Sequence, residues 1–89
     1  MERRRITFAG RVQGVGFRAA AASCAAPEPV TGWVRNEPDG SVAMEIQGSA
    51  GAVETVLARL RARMGGNIRS ERMTPLAIEL EEPGFEIRR

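Results

Sequence analysis

Arg18 closes the run GRVQGVGFR, Gly10–Arg18, and further along Asn36 closes the run GWVRN. A guanidinium is a planar fork that can grip two oxygens of one phosphate. A carboxamide both donates and accepts, so Asn36 could accept from a water while its NH₂ is fixed by a neighbour. Between them, Gly14 and Gly16 permit the positive φ values that turn successive N–H groups inward, so the amides of Gly14, Val15, Gly16, Phe17 and Arg18 could form an anion-binding nest. Plainer readings stand beside these. The run could be only a tight strand-to-helix turn ending in a surface arginine, and Asn36 a turn residue ahead of EPDG.

Composition removes most competing chemistry. The 89 residues contain no histidine, and reading along them finds no lysine, so all 13 basic side chains are arginines. Ser-His-Asp and Cys-His catalysis, phosphohistidine, Schiff bases and the lysine of a P-loop are thereby excluded. The single Cys24 cannot close an internal disulfide, and without histidine it makes no zinc site; it reads as a small buried helical residue. Asp39 has no second carboxylate placed to join it as a metal ligand, so it reads as a turn residue. No cofactor and no metal are expected. A net charge of +2 is a weak nucleic-acid signal, and the arginines of ERRR and EIRR read as charged ends rather than one basic face. With 43% hydrophobic residues and no long apolar run, the chain reads as a single soluble domain over residues 1–89, monomeric and cytoplasmic.

The elements that must position these residues follow from periodicity. Ile6, Phe8 and Val12 alternate with polar or small residues over 5–12, the pattern of a half-buried strand. The glycine-rich loop leads into an alanine-rich helix that must end near Pro27 and Pro29. VTGWVRN is a second strand, EPDG a tight turn, and SVAMEIQG a third strand. Ser49 precedes a helix whose stripe is Val53, Val56, Leu57, Leu60 and Met64, stopped by Gly65-Gly66. Leu76, Ile78 and Leu80 alternate with Ala77, Glu79 and Glu81 as a further strand, followed by a Pro-Gly turn and a short strand FEIR. The order β-α-β-β-α-β-β with right-handed crossovers gives a ferredoxin-like α+β sandwich: an antiparallel sheet, both helices on one face, and a short extra C-terminal strand. The loop then sits at the end of the first strand and the start of the first helix, where N–H groups are unpaired and the helix dipole is positive.

Taken together, GRVQGVGFR and GWVRNEPDGSVAMEIQG resemble the two signatures of the acylphosphatase family. Gly10, Val12, Gln13, Gly14, Val15, Phe17 and Arg18 match the first; Gly32, Trp33, Val34, Arg35, Asn36, Gly40, Val42 and Gly48 match the second. The resemblance covers essentially the whole chain. It implies a small metal-independent hydrolase that splits acyl phosphates into a carboxylate and inorganic phosphate, with Arg18 as the phosphate-binding arginine, Asn36 as the residue orienting the attacking water, and the amides from Gly14 to Arg18 as the cradle. One departure is the first helix, Ala19–Ala26, nearly all alanine where the family usually carries larger side chains.

The missing histidine suits that chemistry, because a carboxylate leaving group needs no proton and a loose phosphoryl-transfer transition state asks mainly for positioning and charge. The other polar residues take structural readings: Trp33 as packing, Arg35 as a solvated strand residue, and Glu79, Glu81 and Glu82 as a solvated strand face. Two other functions are compatible with the topology. One is a non-catalytic phosphate- or carbamoyl-phosphate-sensing domain, like that at the start of hydrogenase-maturation carbamoyl transferases. The other is a single-stranded RNA-binding module, which would need exposed aromatics on its central strands; SVAMEIQG has none, so no nucleic-acid partner is expected, and the lack of a long apolar run means that no membrane partner is expected either.

Overall fold

A computed structural model describes all 89 residues, Met1–Arg89. Its elements are β1 (Glu2–Gly10), α1 (Phe17–Ala25), β2 (Thr31–Asn36), β3 (Val42–Gly48), α2 (Ala50–Met64), a 3₁₀ turn (Gly65–Asn67), β4 (Ile68–Leu76) and β5 (Phe85–Arg88). The sheet order is β4-β1-β3-β2-β5. The first four strands pair antiparallel, whereas β5 lies parallel to β2, so the C-terminal strand makes the sheet mixed. The expected ferredoxin-like sandwich with its extra strand is thus what the chain forms.

Directionality fixes where everything lies. The strands β1 and β2 both end at the same edge of the sheet, since each is antiparallel to β3, and α1 starts there. The parallel pairing of β5 with β2 brings Arg88 to that end as well. The opposite end carries the start of α2, the end of β4 and the segment 77–84, which crosses from one sheet edge to the other.

One face of the sheet builds the core. Ile6 and Phe8 of β1, Val34 of β2, and Val42, Met44 and Ile46 of β3 are fully buried with Val53, Val56, Leu57 and Leu60 of α2. The α2 stripe is the expected one, and Ser49 caps the helix by accepting from the Ala52 amide at 3.1 Å. In α1 the bulk comes from Phe17, whose ring lies 4.9 Å from that of Phe8, while Ala20, Ala21, Cys24 and Ala25 are buried with little side chain to spare. Small residues let a short helix lie close to a sheet.

Two expectations need correction. The strand placed at Leu76–Glu81 is in fact Ile68–Leu76, and Ala77–Leu80 lie outside any strand, with Leu80 84% exposed. As an edge strand pairing only with β1, β4 is exposed along nearly its whole length, so IRSERMTPL carries no apolar alternation; Pro75, lacking an N–H, is tolerated at such an edge. The glutamates of the crossing segment are accordingly not a strand face. Glu82 receives two hydrogen bonds from Arg3, at 2.8 and 3.1 Å, and the backbone of Glu79 exchanges two with the Gln47 side chain, at 2.7 and 2.9 Å. Arg3 itself is only 3% exposed.

Candidate active site

β1 delivers the chain to the loop through Gly10, whose φ of 129° sits beside the Asn67 carbonyl where a Cβ would meet backbone at 2.4 Å. Gly14 and Gly16 then adopt the left-handed region, φ 73° and 78°. Gly16 is the N-cap of α1 and has no side chain to satisfy the first turn. None of the backbone N–H groups from Gln13 to Ala19 donates a hydrogen bond within the protein. A row of unpaired amides at the positive end of a helix is an anion site in waiting.

Asn36 reaches the same place from β2. Side chains alternate along a strand, and since Val34 is buried against the helices, Asn36 takes the same face one step beyond the core, beside the start of α1. Its carboxamide makes no hydrogen bond within the protein, so the neighbour expected to fix its NH₂ is not found among the protein groups. Arg18, in the first turn of α1, donates from Nη1 to the Arg88 carbonyl at 3.1 Å. That contact occupies one corner of the guanidinium and leaves the rest of the fork free.

These residues line one open cleft of about 230 Å³: Val12, Gly14, Gly16, Phe17, Arg18, Ala19, Asn36 and Ile87. No acidic side chain lines it. The structure therefore gathers Gly14, Gly16, Phe17, Arg18 and Asn36, which the sequence singled out; Val15 stands on the loop but outside the lining, 38% exposed. The contributions of Ile87 and the Arg88 carbonyl are ones that sequence reasoning missed. A backbone carbonyl leaves no mark on residue type, and the only clue was a final strand able to add to an edge.

Trp33 and Asp39 take the structural roles read for them, whereas Arg35, read as solvated, is half-buried over Trp33 and paired with Glu37. Trp33, on the sheet face away from the helices, is 6% exposed, with the guanidiniums of Arg35, Arg88 and Arg5 at 4.8, 5.0 and 5.5 Å from its ring. It is a covered packing residue, not an open platform for a base. Arg35 also bonds Glu37 at 2.9 and 3.1 Å. Asp39 accepts from the amide and hydroxyl of Ser41 at 2.9 and 2.6 Å, closing the turn. No cluster of three or more His, Cys, Asp or Glu is placed to hold a metal.

The sequence matches the acylphosphatase family model over residues 4–87. An acylphosphatase from Geobacillus kaustophilus is 36% identical over 88 residues, covering 98% of this chain and 94% of that one. Another, from Methylococcus capsulatus, is 49% identical over 61 residues, 68% of this chain and 66% of that protein. Among solved structures, the acylphosphatase of Bacillus subtilis superposes with a TM-score of 0.87 at 26% identity, each chain covered completely. The same fold occupies 12% of full-length HypF, at a TM-score of 0.81 and 24% identity. With a match over nearly its whole length and the two signature loops meeting in one cleft, the chain belongs to the acylphosphatase family.

Proposed function

We propose that this protein hydrolyses the carboxyl–phosphate bond of acyl phosphates, with Arg18 and the amides from Gly14 to Arg18 holding the phosphoryl group and Asn36 orienting the water. The observation that carries the reading is the convergence of unpaired loop amides, an arginine fork and an unpartnered carboxamide in one cleft free of carboxylates. In the reaction, the water oxygen attacks phosphorus, the P–O bond to the acyl group breaks, and the carboxylate departs with its electron pair. It needs no proton, and the water's proton ends on the phosphate. Arg18 and the amides lie where negative charge gathers on the phosphoryl oxygens, and stabilisation of that charge is the largest share of the work asked of the protein.

Within the same reading the protein acts alone and in a reducing compartment, consistent with the buried free thiol of Cys24, and no helix is long and apolar enough to cross a membrane. The test is direct. Purified protein with benzoyl phosphate and excess chelator should turn the substrate over, and inorganic phosphate should compete with it, since both present the same tetrahedral oxygens. Absence of turnover above background, or activity that disappears with chelator and returns with Mg²⁺, would sink the proposal.

A further inference from the structure

The phosphate loop and Asn36 belong to different elements, and their relative placement needs a cause. Val12 anchors the start of the loop in the core. On one flank the Arg11 amide donates to the Asn67 carbonyl at 2.9 Å. Toward the β2–β3 turn, the loop has one hydrogen-bonding side chain, Gln13. Its Nε2 donates to the carbonyl of Glu37 at 2.7 Å and to that of Ser41 at 2.9 Å. Those carbonyls close the turn itself: Gly40 N–H donates to Glu37 at 3.1 Å, and Glu37 N–H to Ser41 at 2.9 Å. Both protons of the Gln13 amide are thus spent on the two ends of one rigid turn.

The neighbours give this tie its significance. Gln13 precedes Gly14, the first glycine of the cradle, and Glu37 follows Asn36 directly. We infer that Gln13 is a positioning residue for the reaction: it sets the distance between the amides that hold phosphate and the carboxamide that holds water, without touching either ligand. The inference rests on the assignment of Asn36 to the water. The Asn36 side chain makes no hydrogen bond inside the protein, so the backbone around it fixes where it stands: the ladder with β3 on one side, and on the other the adjoining Glu37, whose carbonyl Gln13 grips.

The exchange Gln13→Met keeps the length of the side chain, removes both donors and adds no charge near the phosphate. The two carbonyls retain their backbone partners, so the change leaves no buried acceptor orphaned. Benzoyl phosphate turnover is expected to fall about tenfold in kcat, since small misplacements of catalytic groups carry losses of that size, with the phosphate inhibition constant changed less than about threefold. In an Asn36→Ala background the same exchange should reduce kcat by less than about twofold, because there is no longer a water-orienting group to misplace. Independently of turnover, the side-chain amide resonance of Asn36 should shift or broaden in Gln13→Met, while Gly14 and Gly16 amides still respond to added phosphate. Equal losses in both backgrounds, or phosphate affinity falling in step with kcat, would show a merely structural role and overturn the inference. An unchanged Asn36 resonance would overturn it too, even if hydrolysis itself failed and the functional reading fell separately.

Discussion

Arg18 is held by a carbonyl before any substrate arrives, and that fact distinguishes it from a point charge. With Nη1 on Arg88 O, the guanidinium is tethered at one corner, and Arg18 lines the cleft with its other donors unpaired. A lysine keeps the charge but cannot bond the carbonyl and two phosphate oxygens with one planar group. Arg18→Lys should therefore lose nearly as much kcat/KM as Arg18→Ala, on the order of a hundredfold or more, and phosphate inhibition should weaken in both. Near-normal kinetics in the lysine variant would mean that charge alone suffices. Residues of this kind are legible in sequence because their chemistry is rare: a fork, a carboxamide and two glycines in short runs. What holds them is less legible. Gln13 acts through turn carbonyls and Arg18 through a strand carbonyl, and neither acceptor depends on the side chain that its residue carries. Gly32 shows the same limit from another side, since at φ 144° its missing Cβ would stand 1.9 Å from the Glu45 carbonyl, and only the paired strand reveals why glycine is there.

At the scale of elements, most of the fold is readable where one face meets a core, as in β3 and α2, and unreadable where no face does. β4 lacks a pattern because it lacks a buried side, and 76–80 shows a pattern, Leu76, Ile78, Leu80, of which only Leu76, the last residue of β4, lies in a strand. The crossing segment is fastened by polar groups instead. Arg3, read as part of a charged end, is buried on the sheet face away from the helices, where it bonds Glu82 and also Glu45 at 2.9 Å. Hydrogen bonds from Arg3, working against partial burial, hold the Glu82 carboxyl below its ordinary value of 4.5. A depressed carboxylate stabilises the fold above its unfolded value, and the contribution is lost as pH falls from about 4.5 down through the folded value. Glu82→Gln should thus lower stability at pH 7 by about 2 kcal/mol, since it leaves Arg3 with one carboxylate in a buried site. That corresponds to a Tm lower by on the order of 10 °C for a chain of this size. The difference between the variant and the wild type should shrink steadily as pH falls below about 4.5 and vanish once pH is below the folded value. A difference that persists in acid would show that the glutamine disturbs packing rather than charge.

The whole molecule is electrically lopsided despite its small net charge of +2. Seven arginines have a carboxylate within 4.0 Å, namely Arg3, Arg4, Arg5, Arg35, Arg59, Arg61 and Arg88. The other six are Arg11, Arg18, Arg63, Arg69, Arg72 and Arg89. Topology puts most of these toward the end of the sheet that bears the cleft: Arg11 is in the loop, Arg18 opens α1, Arg63 is in the last turn of α2, Arg69 opens β4 and Arg89 follows β5. Of the side-chain carboxylates without a cation partner, Glu79 and Glu81 sit in the crossing segment at the opposite end, and Asp39, in the β2–β3 turn at the cleft end, offsets one of these arginines. An acyl phosphate approaching in solution meets a field that favours the cleft end before it makes any contact, and such a field raises the encounter rate rather than the chemical step. Screening is the lever: the Debye length falls from about 30 Å at 0.01 M salt to about 10 Å at 0.1 M. Over that range kcat/KM for benzoyl phosphate should fall by roughly threefold while kcat holds. An anion simply occupying the cleft would give the same trend, so the discriminating protein is Arg11→Gln/Arg69→Gln. Neither side chain lines the cleft. With the field weakened, kcat/KM at low salt should drop toward the high-salt value and its salt dependence should flatten, with kcat and Tm near those of the parent. A salt dependence as steep as the parent's would place the effect inside the cleft and remove steering from the account.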